Sequence, residues 1–265
     1  MRALGVIPAR FASTRFPGKP LAPLGNRTLV EEVWSRTRSA RRLARVIVAT
    51  EDERIARACA SFGAEAMLTS ADHASGTDRV AEVAERAGAE FDVVLNVQGD
   101  EPFVTGTAID RLVEAFEKDP GTEMATLSEP FDAVEDLFDP NQVKIAQAAD
   151  GRALYFSRSP IPYHRVAAGK LALDFSASLA MRPGGLGGYR KHQGIYAYRR
   201  DVLFRLTKLP PSPLEIDEGL EQLRALENGV SIRVLDSDFR SVAVDTPGDL
   251  ERVKALGLAA KEARA

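Results

Sequence analysis

Apolar and polar positions alternate along this chain with two different periods, and the first half switches regularly between them. "ALGVIPA" (3–9) and "RVIVAT" (45–50) are short runs rich in branched residues, the kind of strand that a parallel sheet buries on both faces. "EDERIARACASFG" (51–63) places Ile55, Ala58, Cys59 and Phe62 on one helical stripe, with Gly63 positioned to close the helix. "TDRVAEVAERAG" (77–88) repeats that pattern through Val80, Val83, Ala84 and Ala87, and "AIDRLVEAF" (108–116) through Ile109, Leu112, Val113 and Phe116. Between these two helices, "FDVVLNVQGDEP" (91–102) is the strongest strand in the chain. Thr28 and Glu31 have the spacing of a capping box at the head of "LVEEVWSRTRS". This rhythm predicts an α/β fold built on a mostly parallel, doubly wound sheet with right-handed crossovers.

The second half is less regular. "VKIAQAADGRALYFSRSPIP" (143–162) reads as two strands around an Asp150-Gly151 hairpin turn. Residues 163–190 are rich in Gly and Ala with weak periodicity, and are expected to form a loop or mobile arm. Order resumes in "HQGIYAYRRDVLFRL" (192–206), a strand entering a helix. It continues through a helix over 215–229, a strand near 230–236, and "SVAV" followed by "DTPGDLERVKAL". The expectation is a single domain spanning 1–265, with an inserted hairpin and arm region around 143–198.

Composition narrows the class of partner. A formal charge of −3 argues against a general nucleic-acid binder, because phosphate-backbone affinity needs a basic surface. No run of 18 or more apolar residues is present, so no membrane span is expected. The N-terminus has no signal-peptide pattern, and a lone cysteine, Cys59, allows no internal disulfide; both fit a cytoplasmic protein.

Ligands of open parallel sheets bind beyond the carboxyl ends of the strands, where three polar clusters fall here. The opening loop carries Arg10, Arg15 and Lys19 but neither of the glycine patterns of dinucleotide and P-loop sites, so its cations suit a polyphosphate held without a glycine cradle. Asp100 follows the strongest strand, and Asp245 follows "SVAV"; two carboxylates from separate strands suit one magnesium ion completed by water and phosphate. "DTPGD" reads equally as a helix start. The histidines His73, His164 and His192 lack zinc-ligand spacing, and no nucleophile–base pair stands out.

The blocks "VIPARFASTRFPGKPL", "HASGTDRVAEV", "NVQGDEP", "YFSRSPIPYHR", "HQGIYAYR", "SPLEIDEGLEQLRAL" and "VDTPGDLERV" together resemble the 3-deoxy-manno-octulosonate cytidylyltransferase (CMP-Kdo synthetase) family nearly end to end. The resemblance implies a Rossmann-like nucleotidyltransferase fold with a small dimerisation and sugar-binding elaboration, CTP and Kdo as substrates, Mg2+ as cofactor, and a homodimer. It implies that Arg10, Ser13, Arg15, Lys19, His73, Ser75, Gly76, Arg79 and Gln98 bind the nucleotide, with Asp78 in the same motif. It further implies metal ligation by Asp100 and Asp245, catalysis by these two with Arg10 and Lys19, and a sugar pocket of Arg158, Arg165, His192, Tyr196, Glu218 and Gln222. Gln193 and Ala197 depart from the family pattern, which favours an apolar residue and often glycine there, and Gly248 stands where an acidic residue is common. Three other readings stay open on the residues: a cytidylyltransferase for another acidic sugar, a glycosyltransferase using Asp236-Ser-Asp238, and a nucleotide-binding module without catalysis.

Overall fold

The computed structural model describes residues 1–12, 14–163 and 186–262, with side chains described as far as residue 257. The expected site residues Ser13 and Arg165, and also His164, lie outside the described residues.

The first apolar run forms β1 (Ala3–Pro8). A small hairpin of β2 (Pro23–Leu24) and β3 (Arg27–Thr28) leads into α1 (Leu29–Arg38). β4 (Leu43–Thr50), α2 (Glu53–Ser61), β5 (Glu65–Leu68), α3 (Gly76–Ala87), β6 (Val93–Asn96), α4 (Gly106–Lys118) and β7 (Met124–Pro130) follow, all but β5 and β7 where the periodicity predicts them. Then come a short α5 (Val134–Phe138), β8 (Lys144–Gln147), β9 (Ala153–Ser157), β10 (Arg190–Arg199), α6 (Arg200–Leu206), α7 (Pro213–Glu218), α8 (Gln222–Glu227), β11 (Ile232–Asp236) and α9 (Pro247–Glu262). Thr28 accepts from the Glu31 N–H and caps α1.

One sheet runs in the order β11-β7-β10-β6-β1-β4-β5, with β8 paired to β10 and β9 paired to β8. The pairs β1–β4, β1–β6, β4–β5 and β7–β11 are parallel, while β10 runs antiparallel between β6 and β7. The sheet is therefore mixed, and parallel chiefly in its first half. Alternation along the strands feeds two cores. Ala3, Ile7, Val93 and Leu95 face one layer that also holds residues of α1, α2 and α4; Leu4, Val6 and Val94 face the other, with residues of α3, α6 and α8.

Two expectations need correction. The helix expected over 215–229 is broken into α7 and α8, because Gly219 adopts φ +60 and ends α7 with a left-handed cap. "SVAV" forms no strand: residues 241–245 are irregular, and Val244 N–H donates to the Asp100 carbonyl at 3.0 Å. Gly151, in contrast, turns the β8–β9 hairpin with φ +87 where the Asp-Gly signal places it.

Candidate active site

β6 ends in the turn that carries Asp100. A Cβ at Gly99 would stand 2.7 Å from the Pro8 carbonyl oxygen, so only glycine lets this turn press against the end of β1. That approach sets Asp100 beside the opening loop. Lys19 Nζ donates to Asp100 Oδ2 at 2.7 Å and stands 3.5 Å from Asp245 Oδ1, which Arg15 meets at 3.2 Å. Residues far apart in sequence thus converge on one charged apex. The helix start in "DTPGD" is taken by its neighbours: Asp249 N–H donates to Thr246 Oγ1, and Thr246 N–H to Asp249 Oδ2. Asp245 is left to face the cations.

The opening loop is held from beneath. Gly18, at φ +71, donates its N–H to the Phe11 carbonyl at 2.9 Å and folds the loop back on itself. Phe11 N–H donates to Glu51 Oε1 at 2.9 Å, and Glu51 pairs with Arg79 at 3.1 Å. Arg79 is 1% exposed, donates also to Thr69, and lies below the site; its burial disfavours the charge that Glu51 offsets. It braces the loop where the resemblance implied nucleotide contact. Arg10 donates to the His73 carbonyl at 2.5 Å, joining the opening loop to the segment before α3. His73 Nε2 meets Glu82 at 2.6 Å. Burial opposes the Glu82 charge, but hydrogen bonds from His73, the Ser70 N–H and Arg86 outweigh it and hold the carboxyl below its usual range.

A cavity of about 980 Å³ opens beside this apex and is lined at this end by Arg15, Ser75, Gly76, Gln98, Glu101 and Asp245. Ser75 and Asp78 cap α3 reciprocally at its rim. Arg158, His192, Tyr196 and Gln222 line the cavity further along. Tyr196 Oη and Gln222 Nε2 are buried and meet no hydrogen-bond partner among the described residues. Burial pushes the Tyr196 phenol well up, keeping it a neutral donor. Burial also pushes the His192 imidazole down to about 3, so His192 enters the site neutral and is no cation for a carboxylate. Its Nε2 lies 3.1 Å from Thr126 Oγ1, which also faces the carbonyls of Gln193 and Ile195.

Glu218 is placed differently from the rest of the sugar set. Its carboxylate accepts from Ser157 Oγ at 2.6 Å and from Arg158 N–H at 2.9 Å. The Arg158 guanidinium donates to the carbonyls of Glu218, Pro140 and Gly219. Both side chains tie β9 to the α7–α8 corner. Asp236 pairs with Arg190, and Asp238 accepts from Thr105 Oγ1 at 2.7 Å, so Asp236-Ser-Asp238 is committed to the end of β11 and the start of α4.

Sequence reasoning missed Glu51 and a buried group formed by Glu101, Glu129, Lys191 and Ser241. Burial pushes the Glu101 carboxyl up to about 8; Asp100 and Glu129 add to this, and Ser241 and Lys191 oppose it. No local signal finds these residues, because each partner comes from a distant part of the chain.

Among the described residues no cluster of three or more His, Cys, Asp or Glu side chains forms a cage for a metal ion. Asp100 and Asp245 are instead a two-carboxylate set, both within reach of one lysine ammonium, a hard-donor arrangement that suits magnesium shared with substrate phosphates.

The profile of the cytidylyltransferase family matches residues 4–232. The chain is 48% identical to 3-deoxy-manno-octulosonate cytidylyltransferase of Geobacter sulfurreducens over 253 residues, covering 96% of this chain and 98% of that protein. It is also 48% identical to the protein of the same name from Solibacter usitatus over 255 residues, 96% of this chain and 94% of that one. A solved structure of CMP:2-keto-3-deoxy-manno-octonic acid synthetase complexed with CTP superposes with a TM-score of 0.86 at 39% identity, covering 98% of this chain and 99% of that one. A glucose-1-phosphate thymidylyltransferase structure from Bacillus anthracis, at 17% identity and a TM-score of 0.62, shares the fold.

Proposed function

The chain belongs to the 3-deoxy-manno-octulosonate cytidylyltransferase family, and from that premise we propose how its residues perform the transfer of CMP from CTP to Kdo. The sugar's anomeric oxygen bonds to the α-phosphorus, the bond from that phosphorus to the bridging oxygen breaks, pyrophosphate leaves, and the hydroxyl proton passes to solvent. Transfer of this kind depends on positioning and charge neutralisation. The observation that carries the reading is the convergence of Lys19 and Arg15 on Asp100 and Asp245 at the cavity edge.

Lys19 and Arg15 neutralise the triphosphate and the charge that grows on the departing pyrophosphate. Arg10 and the capped start of α3, through Ser75 and Gly76, close the nucleotide side, with Gln98 reaching toward the base. Tyr196, Gln222 and neutral His192 hold hydroxyl groups of the sugar. The sugar carboxylate then needs a cation, a role assigned to Arg165. Asp100 and Asp245 would hold magnesium, which when bound supplies Lewis-acid polarisation of the α-phosphate. The same reading places the enzyme in the cytoplasm as a homodimer supplying activated sugar for lipopolysaccharide. Among the described residues no helix is long and apolar enough to cross a membrane.

The test is pyrophosphate release with CTP and magnesium across a panel of eight- and nine-carbon keto-acid sugars. Release is expected only when all components are present, and fastest with Kdo. Equal rates with a sialic acid, or release that ignores the sugar, would contradict the assignment.

A further inference from the structure

The segment that carries Asp245 has no strand ladder to fix it, yet it delivers a carboxylate to the reaction apex. Its side-chain hydrogen bonds to the rest of the fold gather on one residue. All three polar groups of Ser241 are held by ionisable side chains from other elements. Glu101 Oε1 accepts from Ser241 Oγ at 2.6 Å, the Ser241 N–H points at both Glu129 oxygens at 3.2 and 3.4 Å, and Lys191 Nζ donates to the Ser241 carbonyl at 3.0 Å. Lys191 also pairs with Glu129 at 3.1 Å, closing the ring. Ser241, Glu101 and Glu129 are all buried, so these bonds form with little competition from water. Two further contacts extend the grip. Gln193 Nε2 donates to the Phe239 carbonyl at 3.1 Å, giving a residue that departs from the family pattern a definite task, and Val244 N–H donates to the Asp100 carbonyl.

Geometry makes the arrangement more than a fold strut. Glu101 adjoins Asp100 on one side, and Ser241 lies four residues before Asp245 on the other. The Glu101–Ser241 bond therefore joins the same two segments that carry the two carboxylates.

We propose that the clasp of Glu101, Glu129 and Lys191 around Ser241 is a positioning device that holds Asp245 at the working distance from Asp100, so that the pair can share one divalent cation. This rests on the reading of Asp100 and Asp245 as metal ligands. All four clasp residues border the cavity, and the role proposed for them acts through Asp245.

The test uses Mn2+ as probe, titrated into the full chain with CTP present and followed by electron paramagnetic resonance, beside Glu101→Ala, Ser241→Ala, Glu101→Gln and Asp245→Asn. Glu101→Ala and Ser241→Ala are expected to weaken Mn2+ binding roughly tenfold or more, as loss of a positioning contact does at metal sites. CTP affinity measured without metal should stay within about twofold of wild type, a split that general unfolding would not give. Glu101→Gln keeps an oxygen that accepts from Ser241 Oγ and should restore Mn2+ affinity to near wild type. Wild-type Mn2+ affinity in both alanine variants, with Asp245→Asn weakened, would overturn the clasp while sparing the metal reading. A Glu101→Gln variant as weak as Glu101→Ala would overturn it too, by making Glu101 itself a ligand. Unchanged affinity in Asp245→Asn would bring down the metal reading and the clasp with it.

Discussion

Lys19 stands between two carboxylates and carries one charge, so it neutralises neither of them fully; when triphosphate enters, phosphate oxygens compete for the same donor. A charge that matters most as pyrophosphate leaves should act on turnover more than on binding. Lys19→Ala is therefore expected to lower kcat by roughly 10²-fold or more, with the KM for CTP changed only a few-fold. Steady-state kinetics with pyrophosphate detection checks this. His192 gives a second expectation. Its folded pKa near 3 lies below the ordinary imidazole value, so between about 3 and about 6.5 the unfolded chain binds a proton that the folded chain does not. Stability should rise with pH across that window and level off above it, with a slope from this residue approaching about 1.4 kcal/mol per pH unit. Urea melts of His192→Asn should lack that component, so wild type should gain relative to the variant between about pH 4.5 and pH 6.5. An equal pH dependence of both would place a charged histidine in the site.

At the scale of elements, the turn after β6 shows how much was legible and where legibility stopped. Apolar periodicity finds β6 and α3, and the polar residues that follow β6 mark Asp100, because a strand's end is a local feature of sequence. The Asp150-Gly151 turn is legible for the same reason. Asp245 is half legible: its neighbours Thr246 and Asp249 announce the helix start, but "SVAV" imitates a strand that finds no ladder partner. Glu51, Glu101 and Lys191 carry no local signal at all, since what defines them is a partner 28 to 140 residues away. The split of α7 from α8 turns on one glycine backbone angle that helical periodicity passes over. Gly99 tests how tightly the β6 turn is drawn against β1. A methyl group 2.7 Å from the Pro8 carbonyl must displace the turn, so Gly99→Ala is expected to cost roughly 1–3 kcal/mol of stability and to lower activity further by moving Asp100. Chemical denaturation and pyrophosphate assays on the same preparation check both parts; full stability with full activity would mean that the turn has slack.

Over the whole molecule, the mixed sheet brings three distant pieces of chain to one edge of one cavity: the loop after β1, the turn after β6, and the irregular run before α9. The net charge of −3 leaves the cations concentrated where a polyanion is needed, with Arg10, Arg15 and Lys19 on a single loop. β10, inserted antiparallel between β6 and β7, carries His192 and Tyr196 into the same cavity. In the proposed mechanism the carboxylates of Asp100 and Asp245 bring a divalent cation to the phosphate being transferred. Single-turnover formation of CMP-Kdo by Asp100→Asn, at saturating CTP, Kdo and magnesium, tests it most directly. The amide keeps the side chain's shape and removes its charge, so the rate is expected to fall by roughly 10³-fold or more while CTP binding without metal stays within a few-fold. A rate within about threefold of wild type would contradict the account, because an enzyme that depends on that carboxylate for its metal cannot lose the charge and keep its pace.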